Sequence, residues 1–467
     1  MAIDKINATA LLDGGVSTDD IADGAITSAK LDSAAVTPAA VSDTANTSTG
    51  GLHLPTGTTA QRPGSPSTGY TRMNTTLGSV EFYDGTSWIA TNLIPTVDSV
   101  SGNIYNTLAS DLTLSLSNTT DSIDVLFKEG ATTLATVTSV AVSSGSATVT
   151  VPSAVYGQTT GDTIIISIKN QDGTPSSNSQ TKTVIGLPTG GDEYSSGNYK
   201  YHKFTDNSQT LVVPTGFTTT AEYLIVAGGG GGGDNEGGGG GGAGGVRNGS
   251  VTITAQTYNV GIGAGGGVNT NFGAGSDGGD SQMFGIIATG GGGGGGGGQS
   301  GTAGVEFGRD GGSGGGGGGD QTLTQIAGGS GTPGQGNDGG FGYHYGGYHI
   351  SGGGGGGATT NGSDGSTSTS GRGGDGGTGT NAYSTWATAT SSGASGYYAG
   401  GGGGGMHAAG SSGGTGGAGG GANGQTGGGA VSAGTAYTGG GGGGGGNGNA
   451  SNGGSGIIIV RYDTTAL

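Results

Sequence analysis

The chain has 467 residues, of which 123 are glycine, 30% are hydrophobic and 9% are charged. An ordinary globular enzyme is nearer half apolar and a quarter charged, so a large conventional core is excluded. The net charge of −18 argues against nucleic acid and anionic membranes as partners, and the absence of cysteine rules out disulfides and thiolate metal sites. No run approaches the ~20 apolar residues that span a bilayer, and no apolar stretch follows Met1-Ala-Ile-Asp-Lys, so Sec export is not expected. A protein made in the cytoplasm yet extracellular in composition fits the class that includes virion parts.

Residues 1–49 carry a repeat of five. Ile6, Leu11, Val16, Ile21, Ile26, Leu31, Val36 and Val41 are evenly spaced, with mostly small or polar residues between them. Five matches neither the helical nor the strand period. One apolar residue per unit suits a coil that turns one side chain inward per repeat, and burial then needs several chains. The expectation is an oligomeric stalk, a homotrimer, that attaches to a larger assembly; a disordered arm is the alternative.

Residues 50–92 hold a predicted hairpin: a strand at 79–83, a turn at Asp84-Gly85 and a return at 87–90. Tyr83 and Trp88 are expected to cover one face, with Arg72 and Glu81 as a cross-strand pair. The string GTTAQRP, then Gly69, Arg72-x-Asn74 and Glu81-x-Tyr83-Asp84-Gly85-x-x-Trp88, resembles a small hairpin module common in phage tail-fibre proteins.

Residues 93–190 show short alternating segments at 112–116, 122–127, 133–137, 147–151, 163–168 and 181–185, separated by Gly, Asn, Asp and Ser. That pattern predicts a β-sandwich of immunoglobulin-like size, serving as a spacer or as a carbohydrate-binding-like module.

Residues 191–467 form a glycine-rich domain entered by strands at 199–204, 210–213 and 221–227 and closed by GIIIVRY. The two apolar strands that bracket the glycine region are expected to be neighbours in one sheet. Within it, residues 228–233, 237–242, 290–298, 314–319, 352–357, 400–405 and 439–446 are pure glycine, and five of the seven runs are six residues long. Repeated length suits a slab of fixed thickness. Polyproline-II geometry has three residues per turn, a rise of ~3.1 Å and no internal hydrogen bonds, so side-by-side helices can bond to each other. A Gly-x-x repeat opens one row to neighbours, whereas an unbroken run opens all three. Six residues then span about 19 Å. The expected fold class is all-β with an added polyglycine-II helix bundle; a disordered glycine-rich tail is the alternative. The arrangement resembles the polyglycine sandwich of tail-fibre-tip adhesins and the wider glycine-rich domain of phage fibres. In the adhesins, glycine tracts form the core and variable loops contact a bacterial receptor.

If the tracts are scaffold, function lies in the residues that interrupt them. Aromatics are scarce, at 6% of the chain, yet they gather in three loops. One ends in Tyr343, His344, Tyr345, Tyr348 and His349. The next carries Tyr383, Trp386, Tyr397 and Tyr398. The last begins with Met406 and His407 and contains Tyr437. Such side chains on glycine-rich loops give rigid contact area at small entropic cost; they could equally cap and dry the ends of the lattice. No catalytic, cofactor or metal constellation stands out. The spacing of Asp277 and Asp280 hints at a calcium turn without matching a calcium repeat, and no Gly-Lys-Ser/Thr follows a tract. The expected function is that of a non-enzymatic virion tail-fibre protein. Its N-terminus joins other tail or baseplate proteins, and its loops bind a bacterial surface polysaccharide or outer-membrane protein. Alternatives are a fibre-shaft or decoration protein, or an ice- or surface-binding slab, for which the expected Thr or Asn ladders are not evident.

Overall fold

The structure is a computed structural model. It describes residues 54–467 except 77–78, 92–93, 172, 271–272, 299–304, 347–348, 369–370, 408–411, 428 and 430–431. The expected stalk at 1–49 and the candidate contact Tyr348 lie outside the described residues. The fold is all-β; among the described residues the α-helices are α1 (Ser153–Tyr156) and α2 (Ser384–Ala389). The chain divides into two compact units, residues 1–93 and 94–467.

The first unit is a four-stranded sheet of β1 (Thr56–Gly57), β2 (Thr71–Asn74), β3 (Ser79–Tyr83) and β4 (Trp88–Ala90), in that order. Asp84 makes the expected turn: one carboxylate oxygen accepts the N–H groups of Thr86 and Ser87 at 2.7 Å each, and Gly85 takes φ +108°. The Trp88 ring lies 5.7 Å from Tyr83 and 6.1 Å from Tyr70, with the Arg62 and Arg72 guanidinium groups each 5.9 Å from its centre. Arg72 faces Glu81 across the register at 3.4 Å, as its position predicts. Arg62 comes closer, at 2.7 Å. Glu81 is fully buried and also accepts from the Asn74 amide at 2.9 Å. Burial by itself raises this carboxyl, but the bonds from Arg62 and Asn74 and the two guanidinium charges outweigh it and hold the group below its ordinary value.

The second unit begins with β5 (Thr96–Ser101), β6 (Ile104–Tyr105), β7 (Asp111–Ser117), β8 (Ser122–Glu129), β9 (Thr132–Ala141), β10 (Ser146–Thr150), β11 (Thr163–Asn170) and β12 (Gln180–Ile185). They form two sheets, ordered β10-β7-β5 and β6-β12-β11-β8-β9. Alternation fixes the faces: Leu112, Leu114 and Leu116 of β7 point inward, opposite Ile123, Val125 and Phe127 of β8 and Ile164, Ile166 and Ile168 of β11. The Tyr105 ring then meets Phe217 edge-on at 5.9 Å, so the sandwich joins the apolar core of the next sheet.

That sheet contains β13 (Asp192–Ser196), β14 (Tyr199–Phe204), β15 (Thr210–Val226) and β16 (Val246–Asn259). Further along the chain come a small hairpin, β17 (Ser281–Met283) with β18 (Ile286–Ala288), and a three-stranded sheet of β19 (Gln325–Ile326), β20 (Gly342–His344) and β21 (Ile350–Ser351). The last strand, β22 (Ile457–Asp463), returns to the main sheet, whose order is β13-β14-β22-β15-β16. Val226 stands opposite Ile457 and Leu224 opposite Ile459, so the two bracketing strands are neighbours, as expected. The glycine region is one long excursion between them.

A histidine sits inside this sheet. His202 is fully buried, stacked between Phe204 at 6.5 Å and Tyr462 at 5.9 Å, with Nδ1 2.8 Å from the Gly190 carbonyl. Burial depresses its pKa; the Gly190 bond and the Glu193 charge oppose the shift, and Lys200 adds to it. The unfolded chain therefore takes up a proton near pH 6.5 that the native state refuses, and stability falls as pH drops below that value. Each pH unit in this window costs up to about 1.4 kcal/mol. Urea midpoints at pH 7.5, 6.0 and 5.0 are expected to decline in the native protein more steeply than in His202→Phe. Equal declines would refute the assignment.

The glycine runs form a bundle of three-residue-per-turn helices bonded sideways. Run 237–242 is its axis. Gly238 and Gly241 donate to Gly445 and Gly442, Gly239 and Gly242 to Gly295 and Gly292, and Gly240 to Gly353. Its carbonyls accept from Gly233 and Gly230, from Gly319 and Gly316, and from Gly405 and Gly402. Partners repeat every three residues, as the threefold helix requires. The six other long runs are thus the six neighbours of one central helix, in hexagonal array. Bonds run to parallel and antiparallel neighbours alike: run 352–357 is parallel to the centre, and run 228–233 is antiparallel to it.

Outer helices keep two glycine rows and give the third to side chains. In 372–378, Gly374 and Gly377 donate to run 352–357 and Gly373 and Gly376 donate to Ser412 and Thr415, while Arg372, Asp375 and Thr378 form the outer row. Carboxylates then satisfy edge N–H groups that have no further helix to bond. Asp280 accepts from Gly290 at 2.8 Å and Asp277 from Gly293 at 2.9 Å. Asp338 accepts from Gly331 at 2.8 Å, and Asp364 from Phe341 at 2.9 Å. The spacing of Asp277 and Asp280 that hints at calcium is one turn of this helix; each accepts a backbone amide, and Asp277 also faces the Arg309 guanidinium at 3.5 Å.

Candidate functional site

Each run crosses the bundle once, so its loops fall at two ends. At the near end Gly228 follows β15 and its sheet. At the far end stand Asp234–Asn235–Glu236, the β19–β21 sheet with its loops, and Met406-His407.

The far end assembles the first group of candidates. Tyr343 lies in β20 between Gln325 and Ser351, and its hydroxyl accepts from the Gln325 amide at 2.8 Å. Burial, and then the nearby Asp364 charge, raises its pKa. His344 pairs with Ile350 in the adjoining ladder. Tyr345 donates its N–H to the His349 carbonyl at 3.0 Å and projects its ring, with the residue 54% exposed. His407 donates its N–H to the Ile350 carbonyl at 2.9 Å, and its ring faces the Glu236 carboxylate at 3.9 Å. Asp320 opens the neighbouring turn. Burial pushes its pKa up, but its side chain accepts from the Thr322 hydroxyl and N–H and from the Leu323 N–H, which hold it below its ordinary value. Met406 is buried, bridged to Ser351 and Thr426, and plugs the end of its run.

The second group is at the other end. Trp386, in α2, and Tyr398 are buried in a core cluster with Tyr201, Leu224, Val226, Ile457 and Ile459 of the main sheet. Arg461 lies 4.4 Å from the Trp386 ring and 4.0 Å from Tyr199, with Nε donating to Glu222 at 2.7 Å. Tyr383 packs edge-on to Trp386 at 5.4 Å. The Tyr398 hydroxyl meets Ser392 at 2.6 Å, and burial raises its pKa. Tyr397 accepts from the Asn381 amide at 3.3 Å. Tyr437 is exposed but stands by the near end, its N–H bonded to Ser455 at 3.0 Å. Tyr383, Trp386, Tyr397, Tyr398 and Tyr437 thus stand at the end of the bundle opposite the 343–349 cluster. Two crossings, 360–366 and 372–378, intervene between run 352–357 and the 379–399 loop and return the chain to the sheet. Trp386 and Tyr398 fasten the bundle to that sheet.

The sequence reading missed three far-end side chains. Phe307, Leu323 and Phe341 are 48%, 47% and 39% exposed. Each stands singly among polar residues, and the only available signal was proximity to the end of a crossing. Among the described residues, no group of three His, Asp or Glu side chains is placed to hold a metal ion.

The fold defines a protein whose core is a hexagonal glycine-helix bundle clamped by one β-sheet. The model of the glycine-rich domain family matches residues 203–463, more than half of the chain, and the protein belongs to that family. No curated protein matches it.

Proposed function

We propose that the protein is a receptor-binding tail-fibre protein of a virus that infects bacteria. In this reading the glycine bundle is inert scaffold, the far-end loops touch a bacterial surface polysaccharide or outer-membrane protein, and residues 1–49 attach to the virion. The carrying observation is that Phe307, Leu323, Phe341 and Tyr345 are all exposed at the end of the bundle remote from the sheet. Large apolar side chains exposed on a rigid support offer separate contact anchors for a partner. The likeness of residues 50–92 to a tail-fibre hairpin and of 191–467 to fibre-tip adhesins points the same way.

The test is adhesion of the labelled full-length chain to a panel of bacterial strains. At least one strain is expected to retain it. Tyr345→Ala with Leu323→Ala is expected to weaken retention at least tenfold, about 1.4 kcal/mol. Tyr437→Ala, at the near end, should change nothing. Retention by no strain, or retention indifferent to the double substitution, rejects the reading in favour of a purely structural fibre component.

A further inference from the structure

We propose that the groove between β16 and the β17–β18 hairpin binds a neutral oligosaccharide, with the side chains of Tyr258 and Phe284 as its apolar wall. The groove has a volume of about 540 Å³, and no charged side chain lines it, in a chain of net charge −18. Thr252, Thr257, Asn259 and Gln282 line it and are exposed to solvent, offering hydroxyl and carboxamide groups that both donate and accept. An uncharged wall of mixed donors and acceptors around an aromatic surface selects a ligand with many hydroxyls and no charge.

Two details of the backbone support this assignment. Phe284 and Gly285 join β17 to β18 with φ +57° and +76°. The first position of such a turn ordinarily holds Asn, Asp or Gly, and a phenylalanine there is strained. The strain places the Phe284 ring 5.0 Å from Tyr258 and 6.2 Å from Tyr223, at the groove wall. The second detail bears on what can occupy the groove. β16 is an edge strand, so an added peptide strand is the competing occupant. Tyr258, however, turns back along its own strand, accepting from the Thr254 N–H at 3.0 Å and donating to the Thr254 carbonyl at 3.4 Å. Both groups that a new strand needs at Thr254 are taken, whereas a ligand carrying its own hydroxyls does not need them.

The experiment uses the full-length chain and tetra- to hexasaccharides from dextran, mannan, xylan and galactan, titrated by calorimetry. Binding of at least one is expected, with at least a tenfold loss in Phe284→Asn. That substitution relieves the turn while removing the ring's packing on Tyr258 and Tyr223, so circular dichroism is used to show that the fold is kept. Gln282→Ala should weaken binding without altering the fold. Tyr345→Ala should leave binding intact, which separates this site from the far-end contact surface. The proposal is overturned if no saccharide binds, if Phe284→Asn binds as the native chain does, or if oligogalacturonate competes equally.

Discussion

Replacing Gly240 by alanine is expected to unfold the glycine bundle, and the same replacement at Gly267 is expected to leave it intact. Gly240 sits at the middle of the central helix. A Cβ there would lie 2.6 Å from the Gly402 carbonyl carbon and 2.9 Å from that of Gly403, and closer still to the Gly402 oxygen. Overpacking an ordinary core costs about 1–3 kcal/mol because neighbouring side chains shift. Here the neighbour is backbone, fixed by its own bonds: Gly402 donates to Gly241 at 2.9 Å and accepts from Gly355 at 2.8 Å. Moving it breaks several buried hydrogen bonds, each costing about 1–3 kcal/mol when left unmade. A loss of more than about 4 kcal/mol follows, the range reserved for wholesale disruption. At Gly267 nothing lies within 4 Å of a Cβ, and φ is outside the left-handed region. Alanine there restricts only the unfolded chain and is expected to be neutral or stabilising by up to about 1 kcal/mol. Urea unfolding followed by Trp386 emission in a Trp88→Phe background measures both, because that ring lies at the junction of sheet and bundle. If Gly240→Ala shifted stability by less than ~0.5 kcal/mol, the runs would not be packed on all three rows.

The contrast between Gly240 and Gly267 also shows how much of this fold can be read in advance. Run length, the bracketing strands and the rule that unbroken glycine opens three rows all concern backbone alone, and they lead to the bundle. The sandwich strands are equally legible where alternation is strict, as in Leu112–Leu114–Leu116, but β5 and β6 escape because Thr96 to Tyr105 alternates poorly. The end of the bundle at which a loop emerges was not legible. It depends on the parity of crossings, and outer helices such as 360–366 and 372–378 cross without a glycine run to announce them. For that reason the sequence does not show that Tyr383, Trp386, Tyr397 and Tyr398 emerge at the end opposite Tyr343 and Tyr345. In retrospect a signal exists: Arg372-Gly-Gly-Asp375-Gly-Gly-Thr378 is a period of three with one polar row. The same period explains the aspartates. A carboxylate only accepts, and a lattice edge has N–H groups to satisfy, so Asp280, Asp338 and Asp364 stand where lysine could not serve.

Removing the Glu81 carboxylate is expected to unfold the hairpin module without touching the bundle. Arg72 is 4% exposed and Asn74 is fully buried, and both are oriented toward this one anion. Deleting one partner of a buried ion pair costs about 3–5 kcal/mol because the remaining charge stays desolvated. A module this small has little more stability than that. Glu81→Ala, in a Trp386→Phe background that leaves Trp88 as the sole tryptophan, should show red-shifted Trp88 emission in native buffer. Unchanged emission and an unchanged urea midpoint would refute the central role given to Glu81. The two arginines differ. Arg62 is 28% exposed at its side chain and, among the described residues, hydrogen-bonds through that side chain to Glu81 alone, so Arg62→Ala should cost less. Arg72 also donates to the Gln61 carbonyl at 2.7 Å and the Thr58 carbonyl at 3.1 Å, tying the 57–63 segment to β2. A Cβ at Gly57 would meet its guanidinium, which would have to shift from this position. The string GTTAQRP is thus a socket for Arg72 that also delivers Arg62 to Glu81. Because the native state holds the Glu81 carboxyl below its ordinary 4.5, its contribution is complete above that pH and is lost as pH falls through the lowered value. Glu81→Gln should remove that acid-dependent loss while lowering stability at neutral pH, a combination that mere loss of packing volume would not produce.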